Sequence, residues 1–307
     1  MPEQVAPLWA LAALPLLGGF AFAAAALDGI LTPGGAGGGH GILRPAGEAA
    51  RLLRQGRRRL LKADRLLWRI GVSGLVLAAV LMVAVVPLGS AVLLDLDVGV
   101  VWFNAMDVAV WAFVWLAGWG ANSALSLVGG YRFLALSLAY ELPLMFAIAT
   151  PAVAASSLNV AAIGAAQEGL WYGVWMPVAF IIYLAAVVAF SVSGPFSAPL
   201  GTDIAGGVRA ELSGVDRLMF QAGQYALLAA GAAFSVPMFL GGGAGPLLPG
   251  WAWTLVKTAV VLAALVWARR RIPALRPDKF MEVGWLVLLP AALVQLFIVA
   301  AIVVGRG

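Results

Sequence analysis

Glu141 lies inside the apolar run 129–157, GGYRFLALSLAYELPLMFAIATPAVAASS, which is long enough to cross a bilayer and contains Pro143 and Pro151. A charged carboxylate at mid-bilayer costs roughly 2.5–3.5 kcal/mol on insertion scales, so such an acid faces a bundle interior with a partner or carries a proton. Pro143 has no N–H to offer the carbonyl of Ala139, which is expected to open the hydrogen-bond ladder beside the acid and kink the helix. Two further ionisable groups fall at matching depth. Counted from a helix start at Arg132, Glu141 lies about 13 Å in; Asp107 and Lys257 each lie about 12 Å in from the opposite side, counted from Gly99 and Pro249. If the three meet, they form a mixed-charge cluster in which each alters the proton affinity of the others. If they do not, each is a separately neutralised group, and Glu141 is a protonated, hydrogen-bonded residue that orients helices.

The elements that must hold these groups are membrane helices. Of 307 residues, 63% are hydrophobic and 11% are charged, against about one quarter charged in soluble domains. Eight apolar stretches, near 7–31, 69–94, 99–127, 132–155, 171–194, 215–240, 249–268 and 281–304, reach the length of a crossing. The chain therefore reads as an all-α polytopic membrane protein, a single integral membrane domain over 1–307. The N-terminus lacks a positive region and a cleavage-like site and reads as the first membrane helix. Lys and Arg concentrate in alternate loops, those after helices one, three, five and seven. By the positive-inside rule these loops are cytoplasmic and both termini lie outside, in a bacterial cytoplasmic (inner) membrane. The net charge of +5 is thus a topological signal and does not point to nucleic acid.

With no Cys and a single His, His40, this chain cannot hold thiolate-ligated iron–sulfur clusters or a bis-histidine haem. Any electron carrier belongs to a partner. The first basic loop opens on a glycine-rich run and continues as a basic amphipathic segment within 41–62, where Ile42, Leu43, Ala46, Ala49, Ala50, Leu53, Leu60 and Leu61 interleave with arginines. It suits either an anionic-lipid anchor or a docking and ligand-lining role. A second cytoplasmic loop spans 195–213.

The segment Gly118-Trp119-Gly120-Ala121-Asn122-Ser123, followed by Ser126-Leu127-Val128-Gly129, Arg132 and Ser137-Leu138-Ala139-Tyr140-Glu141, resembles the H-subunit family of proton-pumping NADH:quinone oxidoreductase, respiratory complex I. The resemblance extends over nearly the whole chain. Gly41-Ile42-Leu43-Arg44-Pro45 with Glu48 and Arg51 looks like that family's surface helix, and Ala63-Asp64-Arg65 like the segment before its second helix. Leu275-Arg276-Pro277-Asp278-Lys279 and Gly284-Trp285 look like its closing motif. The chain departs from the family in the loop patterned R-x-PFDLPEAE, here Ser193-Gly194-Pro195-Phe196-Ser197-Ala198-Pro199-Leu200-Gly201-Thr202. Phe190 and Gln224 stand where glutamates are expected, and the acid of helix three is displaced to Asp107.

The resemblance implies a membrane subunit with no redox cofactor of its own. It would share quinone as a substrate with peripheral subunits that hold iron–sulfur clusters, and would assemble with other membrane subunits in the lipid bilayer. Its implied proton path is Glu141, Asp107, Asp203, Glu211 and Lys257; its implied rim toward quinone and the peripheral arm is Arg44, Glu48, Arg51, Asp64, Arg65 and Arg132; its cytoplasmic closing motif keeps Arg276, Asp278 and Lys279. No metal site and no catalytic residue are implied. Other readings are an anchor subunit of a membrane-bound nickel–iron hydrogenase or ferredoxin-linked relative, a scaffold paralogue, and a secondary transporter, although the internal repeat a transporter favours is absent.

Overall fold

A computed structural model describes residues 3–6, 9–32, 39–58, 60–167, 169–201 and 206–306. Its long helices are α1 (Ala10–Ile30), α3 (Arg65–Val83), α4 (Gly99–Gly120), α5 (Ala124–Ala154), α9 (Gly214–Phe239) and α10 (Gly250–Arg271). The amphipathic α2 (Gly39–Arg54) and the short α6 (Val160–Ala165), α7 (Tyr172–Trp175), α8 (Pro177–Phe190), α11 (Pro277–Val283) and α12 (Leu289–Arg306) complete the set. A π-helical segment, Gly284–Leu288, joins α11 to α12 in one apolar span, so seven spans among the described residues are long and apolar enough to cross a membrane. The eighth expected crossing is shorter. Pro177 has no N–H for the turn before it, and Met176 leaves helical geometry, so the fifth stretch divides into α7 and the 14-residue α8.

Strand content among the described residues is confined to Glu3–Gln4 beside Ala91–Val92. Two other boundaries differ from the sequence expectation. α5 begins at Ala124, preceded by extended Ser123, well before Arg132, so Glu141 is near the midpoint of a 31-residue helix. That helix also runs on through Pro143 and Pro151. α2 ends at Arg54, so Leu60 and Leu61 belong to the irregular link into α3 and not to the amphipathic helix. Asp64 starts α3 by accepting from the Leu66 and Leu67 amides at 3.0 and 3.1 Å, an N-cap that contributes about 1 kcal/mol.

Packing places α9 at the centre, with α1, α3, α8 and α10 around it and α4 and α5 beyond α3 and α8. Small residues permit the close approaches. A Cβ on Gly71 would strike the α4 backbone, and one on Gly129 would strike the backbone of Pro199, Gly207 and Val208 lying across α5. The four basic loops come together on one face: Arg58 reaches Glu211, Asn122 donates to the Lys62 carbonyl, and the Leu275 amide donates to the Pro195 carbonyl. The remaining loops meet on the opposite face, where Asn159 donates to Asp95 and Gln167 ties the Pro237 and Met238 carbonyls to the amides of Tyr172 and Gly241. The N-terminal strand lies on this second face with Ala91–Val92.

Candidate functional site: a polar-mouthed cavity and a buried carboxyl pair

Asp28 lies in the last turn of α1, and no motif or spacing in the sequence singles it out. Its carboxylate accepts from Arg269 at 2.7 Å, from Arg270 Nε and Nη2 at 2.7 and 2.6 Å, and from the Tyr225 hydroxyl at 3.1 Å. One acid thereby ties α1, α9 and α10 together. Arg270 also donates to Thr32, and the Arg269 guanidinium lies 5.1 Å from the Tyr225 ring centre. The signal that could have revealed Asp28 is complementarity: an acid at the basic-loop end of one helix and the run Arg269-Arg270-Arg271 at the same end of another.

Asp28 marks the polar end of an open-sided cavity of about 680 Å³ lined by α1, α2, α3 and α9. Thr32, Arg44, Glu48, Tyr225 and Arg270 share that end, while Leu14, Leu17, Gly18, Ala21 and Phe22 form the apolar end. Fourteen residues of α1 separate Asp28 from Leu14, about 21 Å of helix. The volume falls within the roughly 300–1,000 Å³ typical of small-molecule sites. Glu48 is held by Arg51 through two contacts, 2.8 and 2.6 Å, and this guanidinium keeps its carboxyl below the usual range. Of the expected rim residues, Arg44 and Glu48 line the cavity and Arg51 supports Glu48. Asp64 is the α3 cap, Arg65 is exposed at the start of α3, and Arg132 donates to the Gly206 carbonyl at 3.1 Å.

A second site lies deeper in the bundle. α4 and α5 pack so that Asp107 and Glu141 are buried as neighbours close enough for each carboxyl to act on the other. Two carboxyl oxygens can bond to each other only when one carries a proton. Tyr140 donates to Asp107 Oδ1 at 3.4 Å and Asn104 donates to Glu141 Oε1 at 2.9 Å; Asp107 Oδ2 and Glu141 Oε2 are buried with no hydrogen-bond partner among the described residues. The Ala139 carbonyl, freed by Pro143, does not open into space: Gly284 packs against it so closely that a Cβ there would lie 2.5 Å from the oxygen. One turn before Asp107, Phe103 stacks on Phe234 with ring centres 3.7 Å apart and meets Phe190 edge-on at 6.3 Å.

Lys257 does not join this pair. α10 packs on α9, α1 and α8, and Lys257 Nζ donates to the carbonyls of Leu240, Gly242 and Ala244 at 2.7, 2.9 and 2.8 Å. Trp171 covers it at 4.6 Å. Equal depth on two helices says nothing of the direction each side chain takes around its axis. Here the ammonium clamps the 240–244 loop on the second face. Replacing Lys257 by Met leaves three carbonyls without this donor and is expected to cost about 1–3 kcal/mol, seen as a lower melting temperature of the detergent-solubilised protein.

Glu211 pairs with Arg58 at 2.8 Å and accepts from Ser123 at 2.9 Å, pinning three basic-face segments. Asp203 lies outside the described residues. Arg276 pairs with Asp278 at 3.2 Å and Lys279 with Glu282 at 3.0 Å, both exposed, a setting in which ion pairs contribute less than about 1 kcal/mol.

The family model described as NADH dehydrogenase matches residues 32–300. The chain belongs to the NADH dehydrogenase family. Among curated relatives of this family, the NADH-quinone oxidoreductase H subunit numbered 2 of Geobacter sulfurreducens is 34% identical over 270 residues, covering 84% of this chain and 82% of the relative. The H subunit numbered 1 of Geobacter metallireducens is 34% identical over 278 residues, covering 87% and 84%. The H subunit of Bacillus cytotoxicus is 32% identical over 283 residues, covering 90% and 85%. As a family member with seven membrane-length apolar spans, the chain is an integral membrane protein.

Proposed function

We propose that this protein is the membrane subunit of an NADH:quinone oxidoreductase of the complex I type, forming part of its quinone chamber and coupling redox chemistry elsewhere in the complex to proton movement. The observation that carries the reading is the cavity of about 680 Å³ between α1, α2, α3 and α9, with Arg44 and the ion-paired Asp28 and Glu48 at one end and apolar side chains at the other. That gradient matches a quinone, whose carbonyl head accepts hydrogen bonds and whose tail is hydrocarbon. Leu14, Leu17 and Val80 also border a neighbouring cavity of about 250 Å³, which gives the tail further room.

In this reading the chain supplies binding and proton handling, and the electrons arrive from iron–sulfur clusters in peripheral subunits docked on the basic face. That face is cytoplasmic, both termini are outside, and the membrane is the bacterial inner one. The Asp107–Glu141 pair takes up and releases a proton as charge changes at the chamber mouth, with Glu211 on the basic face, and with Asp203 as a further member of the path. The names of the relatives, all H subunits of NADH-quinone oxidoreductase, favour this reading over a hydrogenase anchor, a scaffold or a transporter.

The test fills the chamber. Ala25→Trp projects an indole into the cavity and is expected to depress quinone reduction by the purified complex about tenfold or more, while donor oxidation by an artificial acceptor at the peripheral arm continues. Undiminished quinone reduction, or purification of this chain without any iron–sulfur subunit, removes the proposal.

A further inference from the structure

Beside the Asp28 cluster lies a separate cavity of about 340 Å³, lined by Ser193, Gly194, Ser197, Arg209, Gln224 and Arg269 among others. Its charges do not balance. Asp28 is the carboxylate at its edge, and that acid is already engaged by Arg269, Arg270 and Tyr225. Arg209 enters from the short 3-10 turn Val208–Ala210 and donates through Nη2 to the Gln224 carbonyl oxygen. That oxygen is a neutral acceptor whose orientation is fixed, because the Gln224 amide nitrogen is spent on the Ser191 and Val192 carbonyls at 3.3 and 2.7 Å. Arg209 Nε is buried and has no hydrogen-bond partner among the described residues, and no carboxylate among them pairs with this guanidinium.

Burial, with Arg217 and Arg269 nearby, pushes the Arg209 guanidinium down to about 10, so it remains a cation at neutral pH. A buried cation without a counter-charge is strongly unfavourable; proteins pair such groups or bring in an ion of opposite sign. Ser191 donates to the Val188 carbonyl, so the Ser193 hydroxyl donates to Ser191 at 2.7 Å, and the Ser197 hydroxyl is the one left to add a donor to an anion's shell. In this part of the described loop the side chains are Ser, Pro, Phe, Ala and Leu, so none can supply the missing negative charge.

From this geometry we infer that the cavity at Arg209 is a binding site for a small phosphate-class oxyanion, held by Arg209 and Arg269 with Ser197. The site adjoins the quinone chamber, with Asp28, Tyr225 and Arg270 as the shared wall, and does not rest on the chain's redox role. Its occupant has two sources to draw on, free inorganic phosphate or the headgroup of an anionic lipid. Both offer the same tetrahedral oxygens to the guanidinium.

The experiment is equilibrium dialysis of the purified complex against radiolabelled inorganic phosphate at fixed ionic strength. Wild type is expected to retain phosphate, and Arg209→Gln to bind it roughly 10- to 100-fold more weakly. Arg209→Lys, which keeps the charge, is expected to recover part of the binding and so separates loss of the site from loss of assembly. Repeating the measurement in nanodiscs with and without phosphatidylglycerol distinguishes the sources: displacement by that lipid identifies a headgroup, and indifference to it identifies the free ion. Equal phosphate binding in wild type and Arg209→Gln overturns the inference. So does a gain of about tenfold in Asp203→Asn, which would make the chain's own Asp203 the counter-charge.

Discussion

Asp28→Ala is expected to be the most damaging single substitution in the chain, lowering stability by about 3–5 kcal/mol and abolishing quinone reduction together. The magnitude follows from what remains behind. Arg269, with its side chain 7% exposed, would lose its one carboxylate partner among the described residues, and Arg270 and Tyr225 would lose the acceptor that holds α10 and α9 against α1. The same acid sits at the polar end of the chamber, so helix spacing and ligand geometry fail together. Asp28→Asn separates the two effects. Asn keeps an acceptor oxygen for one arginine and most of the shape, so assembly should recover in large part, while quinone reduction stays low because Arg269 and Arg270 no longer share a charge. Measuring quinone reduction and subunit retention on the same purified sample checks this. Normal quinone reduction in Asp28→Ala would show that the Asp28 cluster does not shape the chamber.

Glu141→Gln is expected to abolish proton translocation while leaving the complex assembled. Gln can still accept from Asn104 and can offer its amide to Asp107, so the contact between α4 and α5 persists. What Gln cannot do is release a proton. An amide in one half of a carboxyl pair fixes the hydrogen bond in one state, and a relay that depends on exchange stops. Asp107→Asn should act likewise, and the double variant should be little worse than either single one, because the two residues operate as a unit. Proteoliposomes reporting proton uptake during quinone reduction give the answer. Unchanged pumping in Glu141→Gln would leave the pair as a structural cross-link between two helices.

The sequence made the membrane helices legible because length and apolarity are local properties. Seven of the eight expected crossings are present as long spans, and the eighth, broken at Pro177, was marked by the proline itself. Helix ends were less visible. Ala124–Arg132 is apolar enough to be helix or interface, and the extended Ser123 that starts α5 has no strong signal beyond its residue type. Depth placed Asp107, Glu141 and Lys257 at one level, yet depth leaves out the angle around each helix and the order of helices in the bundle. Those were decided by glycines such as Gly71, which draws α4 onto α3, and by α10 packing against α9 on the side away from the carboxyl pair. Asp28 was hidden for a related reason. Its partners come from the far end of the chain, and no spacing rule joins residues so distant.

That distance also sets a schedule for synthesis. Asp28 belongs to α1, and its partners Tyr225 and Arg270 follow 197 and 242 residues later. At translation rates of about 5–20 residues per second, α1 waits roughly ten to fifty seconds in the membrane with this acid unpaired. Only 17% of its apolar window is buried even in the finished protein, against 83% for α9. The chamber wall therefore closes near the end of translation, when α10 delivers its arginines, and until then the nascent chain presents an open cleft to the lipid and to whatever insertion machinery attends it.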